Sequence, residues 1–118
     1  MEVFREFKFD AAHLLPSLTP GHRCSRTHGH TFRVMVLLEG EMGEESGWVR
    51  DFGDIKALCG PVIEELDHSF LNDIPGLENP TSENIAVWIW NRLKPRLPEL
   101  SMVEVSETSS TGCRYRGK

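Results

Sequence analysis

The chain has 118 residues, 39% of them apolar and 26% charged, a composition that excludes a disordered or fibrous protein and suits one domain, residues 1–118, with a single core. A net charge of −5 argues against nucleic acid as a partner. No stretch is long and apolar enough to cross a bilayer, which argues against a membrane partner as well.

The start, Met1-Glu2-Val3-Phe4-Arg5-Glu6, lacks the basic opening and apolar run of a signal peptide, so a cytoplasmic location is expected. From Val3 to His13 the odd positions Val3, Phe7, Phe9, Ala11 and His13 share one face, and Glu6, Lys8 and Asp10 lie on the other. This pattern predicts a half-buried strand with His13 at its far end. After a loop over Pro16–Gly21, a second strand is predicted from His28 to Gly40, with His28, His30, Phe32, Val34, Val36 and Leu38 on one face. A turn spans Glu41–Gly47. A helix follows, begun by Asp51 or Asp54 and carrying an apolar stripe of Ile55, Leu58, Cys59, Val62, Ile63 and Leu66. Pro61 inside that stripe predicts a kink or a break near Gly60, and Cys59 is expected to be a core thiol. A second helix is signalled by the cap and acidic first turn of Pro80-Thr81-Ser82-Glu83, runs through the apolar stretch Ile85–Leu93 and stops at Lys94-Pro95. A third strand, Met102–Thr108, and a short last one, Cys113–Arg116, complete the order β-β-α-α-β-β. That order predicts an α+β domain, with two helices on one face of a four-stranded antiparallel sheet. The three cysteines, Cys24, Cys59 and Cys113, are odd in number and scattered, which fits a reducing compartment rather than a disulfide framework.

The chemistry concentrates in Cys24-Ser25-Arg26-Thr27-His28-Gly29-His30. Side chains two apart on a strand leave the same face, so His28 and His30 can converge on one ion. Consecutive antiparallel strands bring His13 to the same end of the sheet. Three imidazoles then make a three-nitrogen zinc site with an open fourth position, or else are core-edge histidines satisfied without a metal. Cys24 is simply a small loop residue, or it has one of two functional readings on spacing alone. It closes the site as a fourth ligand, or it stays free beside the metal, flanked by Arg23 and Arg26, as a base or nucleophile. No acidic residue occurs between Asp10 and Glu39, so the arginines of that window suit an anionic substrate or are solvated loop charge. His68, after Asp67 at a helix C-terminus, is placed to titrate near neutral pH or to be a surface residue closing the helix. Glu107 continues the face of Val103 and Val105. A carboxylate there needs a partner, either a protein donor or paired N–H groups such as those on a pterin or guanine edge, unless the strand slips and Glu107 meets solvent.

Together these residues resemble the family of 6-pyruvoyl-tetrahydropterin and 6-carboxytetrahydropterin synthases. The resemblance covers essentially the whole chain. It runs through Phe9-Asp10-Ala11-Ala12-His13, the Cys24–His30 run, Val49-Arg50-Asp51-Phe52, Leu66-Asp67-His68, Leu71-Asn72, Asn79-Pro80-Thr81-Ser82-Glu83-Asn84 and Glu107-Thr108. It implies the tunnelling fold, closed into a barrel by oligomerisation as a trimer or hexamer with sites at subunit interfaces. It implies Zn2+ on His13, His28 and His30, Cys24 as the proton-transferring thiol, and His68 with Asp67 as its partners. Glu107 becomes the anchor of the pterin ring, with Thr81 and Ser82 helping to hold it, and Arg26 a candidate for the triphosphate of a pterin triphosphate substrate. The three residues between Cys24 and His28 resemble the queuosine branch, which forms 6-carboxytetrahydropterin. The alternatives are the pyruvoyl-forming branch, which eliminates triphosphate only, and a non-catalytic zinc-stabilised module with Cys24 as fourth ligand.

Overall fold

The computed structural model describes residues 1–19 and 21–118, so Pro20 of the first loop lies outside the described residues. Strand β1 (Glu2–His13) pairs antiparallel with β2 (His28–Glu39) over their full lengths, from Glu2↔Glu39 to His13↔His28. Helix α1 (Phe52–Leu66) and helix α2 (Ser82–Leu93) flank a two-residue strand β3 (Ser69–Phe70). Strands β4 (Leu100–Thr108) and β5 (Thr111–Tyr115) end the chain. The sheet order is β3-β1-β2-β4-β5.

The fold is α+β, as the element order predicts, but the sheet has five strands and is mixed rather than four and antiparallel. The addition is β3, which runs parallel to β1 through Ala11↔Ser69 and Ala12↔Phe70. Two residues carry no periodicity, so nothing in the local pattern marks them as a strand. They become one because the chain leaving α1 passes the open edge of β1, whose backbone groups need partners.

The face predicted to be apolar is the one the helices cover. Phe9, Ala11, Phe32, Val34, Val36, Leu38, Val103 and Val105 are buried there, against Ile55, Cys59, Val62, Ile63 and Leu66 of α1 and Ile85, Ala86, Ile89 and Leu93 of α2. Burial pushes the Cys59 thiol up to about 11, as expected of a core cysteine. Asp51 caps α1, its carboxylate accepting from the Gly53 N–H at 2.9 Å. The helix does not break near Gly60: it runs unbroken through Pro61. Pro61 and Ala57, whose carbonyl loses its helical partner, both lie on the exposed side, where water can satisfy it. Among the described residues no helix is long and apolar enough to cross a membrane.

Candidate metal centre and adjoining cavity

Strand parity delivers three imidazoles to one corner of the covered face. His13 opposes His28 across the β1–β2 ladder, and His30 opposes Ala11. One ligating atom from each of His13, His28 and His30 lies within 4.8 Å of the others. The rings pack edge to face at centroid distances of 4.5, 5.2 and 4.9 Å. Phe32 forms the floor, 5.5 Å from both His13 and His30 and stacked on Phe9 at 4.8 Å.

Two backbone carbonyls orient the set. His13 Nδ1 lies 2.8 Å from the Pro80 carbonyl, and His28 Nδ1 lies 2.7 Å from the Arg26 carbonyl. A carbonyl only accepts, so each Nδ1 carries the proton and each Nε2 is left with a lone pair. For His13 that lone pair is buried and, among the described residues, has no hydrogen-bond partner. Burial also lowers the pKa of this imidazole, which keeps it neutral. A buried, unpartnered nitrogen lone pair beside two further imidazoles is costly without an acceptor for it. A divalent cation fits the donor set, and the imidazole-to-carbonyl bonds are the arrangement that orients metal-binding histidines. Cys24 and Glu107 do not belong to this close cluster.

Glu107 stands at its rim and faces inward, as its place after Val103 and Val105 predicts. Its carboxylate oxygens lie 3.9 Å from His13 Nε2 and 3.7 Å from His30 Nε2, and its side chain is 27% exposed. It lines a cavity of about 350 Å³ together with Leu15, Thr81, Ser82, Glu83 and Cys113. Thr81 caps α2 by accepting from the Asn84 N–H at 3.1 Å, which leaves its hydroxyl proton free to donate. The same turn presents Pro80 to His13 and Thr81 and Ser82 to the cavity, so the start of α2 serves both.

Cys24 lies in a 3₁₀ turn, Arg23–Ser25, and is partly exposed. The turn is tied to the end of β1 by the Leu15 N–H, which donates to the Cys24 carbonyl at 2.8 Å. Arg26 is exposed, and its carbonyl is what reaches the histidine set.

Asp67 and His68 sit apart. Their close group includes Asp10 rather than the three histidines, and Asp10 leaves β1 on the face opposite Ala11 and His13. Asp67 accepts from the Asp10 N–H at 2.9 Å and lies 3.0 Å from His68 Nδ1. His68 holds a left-handed φ of 56° and donates its N–H to the Asp10 carbonyl. The Asp10 N–H, and then His68, hold the Asp67 carboxyl below its ordinary 3.8. The unfolded chain therefore takes up this proton first on acidification. The Asp67 contribution is complete above pH 3.8 and is lost as pH falls through the folded-state value. Asp67→Asn keeps the acceptor for Asp10 and removes the charge. Acid titrations followed by circular dichroism are expected to show a shallower loss of stability for this variant below pH 3.8.

Sequence reading passed over three contributors: the Pro80 carbonyl, Leu15 and Cys113. Cys113 had a signal, since alternation along β5 with Tyr115 turns it inward. The other two had none, because a backbone carbonyl and a lone loop leucine carry no pattern.

Residues 2–118 match the family described as 6-pyruvoyl tetrahydropterin synthase. The chain is 44% identical to a 6-carboxy-5,6,7,8-tetrahydropterin synthase of Synechocystis, covering 96% of this chain and 91% of that protein. It is 43% identical to a dihydroneopterin monophosphate aldolase of Pyrococcus furiosus, over 76% of this chain and 72% of that one. Among solved structures, the 6-pyruvoyl tetrahydropterin synthase of Caenorhabditis elegans superposes with a TM-score of 0.92 at 28% identity, over 100% of this chain and 96% of that one.

Proposed function

This chain belongs to the 6-pyruvoyl tetrahydropterin synthase family, and from that premise we propose that it is a zinc-dependent 6-carboxy-5,6,7,8-tetrahydropterin synthase. Its substrate is 7,8-dihydroneopterin triphosphate, its products are 6-carboxytetrahydropterin, acetaldehyde and triphosphate, and its place is in queuosine (7-deazaguanine) biosynthesis. The observation that carries the reading is the unpartnered, buried Nε2 of His13 beside His28 and His30, with Glu107 at the rim of the cluster and lining the neighbouring cavity with Thr81 and Ser82. The identity to the Synechocystis enzyme supports the carboxylated product.

Zinc bound by the three imidazoles supplies a Lewis acid for charge developing on the side-chain oxygens of the substrate. The residues of the chain do the rest. Glu107 accepts from the paired N–H groups of the pterin edge and fixes the ring so that its side chain lies over the histidines. The Thr81 and Ser82 hydroxyls complete the hydrogen bonding of the ring. Cys24 as thiolate takes protons from the side-chain carbons and returns them, with His68 and Asp67 supporting its reprotonation. Asp67 and His68 lie on the other face from the histidines of their own chain, so in this reading a neighbouring subunit supplies them. The backbone groups left unpaired at the β3 and β5 edges favour assembly into a trimer or hexamer whose sheets close a barrel. Arg26 is exposed to meet the triphosphate.

Incubation with 7,8-dihydroneopterin triphosphate, followed by mass identification of the products, tests the reaction. A carboxylated tetrahydropterin with acetaldehyde is expected, and recovery of an intact three-carbon side chain would sink the carboxy assignment in favour of the pyruvoyl one. A second reading, aldol cleavage of a dihydroneopterin phosphate, draws on the identity to the Pyrococcus protein, and a parallel incubation with 7,8-dihydroneopterin monophosphate would detect it as a hydroxymethyl dihydropterin. For the ring anchor, Glu107→Gln removes the charge from the acceptor and is expected to weaken pterin binding about 10–100-fold. Unchanged affinity in a calorimetric titration would remove that role from Glu107.

A further inference from the structure

Asn72 makes three hydrogen bonds to main chain with one side-chain amide. Its Oδ1 accepts from the Leu14 N–H at 3.0 Å, and its Nδ2 donates to the Leu14 carbonyl at 2.9 Å and to the Glu78 carbonyl at 3.4 Å. The two bonds to Leu14 engage both backbone groups of one residue, as a neighbouring strand would. The location gives this meaning. The β3 ladder ends at Ala12↔Phe70 and the β2 ladder at His13↔His28. At the next residue, Leu14, the Asn72 amide takes over. Its third bond reaches Glu78, two residues before Pro80, whose carbonyl receives His13 Nδ1.

One amide therefore holds the backbone on both sides of the His13–Pro80 contact. We propose that Asn72 is a positioning residue: by tying Leu14 to the Glu78–Pro80 segment it aims the free Nε2 of His13 into the three-histidine cluster. The inference rests on the reading of that cluster as a metal site. Asn suits the task because only a primary amide offers a donor and an acceptor side by side. Asp would keep the bond from the Leu14 N–H but set a carboxylate against two carbonyls.

The test is zinc affinity by competition with a chromophoric chelator, with the absorption spectrum of the cobalt-substituted protein and the thermal midpoint measured alongside. Orienting partners of metal-bound histidines are worth about 10–100-fold in metal affinity, so losses of that size are expected for Asn72→Ala and Asn72→Asp, with an altered cobalt spectrum. Asn72→Asp, nearly isosteric, decides the matter if the alanine variant does not fold. Lys94→Met is the control, since Lys94 donates to the Pro98 and Leu100 carbonyls at 2.8 Å each, away from the site. It is expected to lower the thermal midpoint and leave zinc affinity unchanged. Wild-type zinc affinity and cobalt spectrum in the Asn72 variants, or a loss in Lys94→Met as large as theirs, would overturn the proposal. An unsubstituted chain that binds no zinc would instead overturn the metal reading beneath it.

Discussion

Cys24→Ala is expected to lower turnover by about 10²–10⁴-fold, the range of a lost acid–base group, while zinc content and thermal midpoint stay close to wild type. Cys24 holds its turn through its own main chain: its N–H donates to the His22 side chain at Nδ1, 3.1 Å away, and its carbonyl accepts from the Leu15 N–H. Alanine preserves both. The thiol is partly exposed and outside the close histidine cluster, so its removal opens no core cavity and takes no nitrogen from the metal. The contrasting outcome is a Cys24→Ala chain that loses zinc and unfolds. That would make the sulfur a fourth ligand and the protein a zinc-stabilised module rather than an enzyme.

The second large effect separates the three histidines from one another. Alanine at His13, His28 or His30 is expected to abolish stoichiometric zinc binding and turnover, because two imidazoles hold a zinc ion far more weakly than three. The metal-free proteins should then differ. His30 has a side chain 23% exposed, whereas that of His13 is 1% exposed. Truncating His13 leaves a void against Phe32 and removes the bond to the Pro80 carbonyl, at a cost of about 2–5 kcal/mol for a large buried side chain. Truncating His30 removes less buried volume. Urea unfolding of the metal-free variants should rank His13→Ala below His30→Ala. Equal stabilities would mean that the corner around His13 is not packed as described here.

Much of this site was legible along the chain because strand parity is a local property. A side chain's face depends on its neighbours one and two residues away. The alternation through His13, through His28 and His30, and through Val103, Val105 and Glu107 therefore needed no knowledge of the rest of the molecule. The helix starts were legible to within a turn for the same reason, since a cap bonds within its own turn: of Asp51 and Asp54 the cap is Asp51, and within Pro80–Glu83 it is Thr81. Of the kink or break expected at Pro61, the break does not occur: Pro61 lies on the exposed side of α1, where water can satisfy the carbonyl it leaves unpaired.

What the sequence determined by itself is which residue types reach which face and end of the sheet: three imidazoles, an inward carboxylate, and a thiol on the adjoining turn. Only the tertiary structure decided how they are held. The tautomer of His13 depends on a carbonyl 67 residues away, the support of Leu14 on an amide 58 residues away, and the fifth strand on two residues with no pattern of their own. It also set Asp67 and His68 with Asp10 on the far face, away from the three histidines. The physical reason is the same in each case. Backbone groups are alike at every residue, so which of them meet is decided where distant segments pack, and not by the side chains beside them.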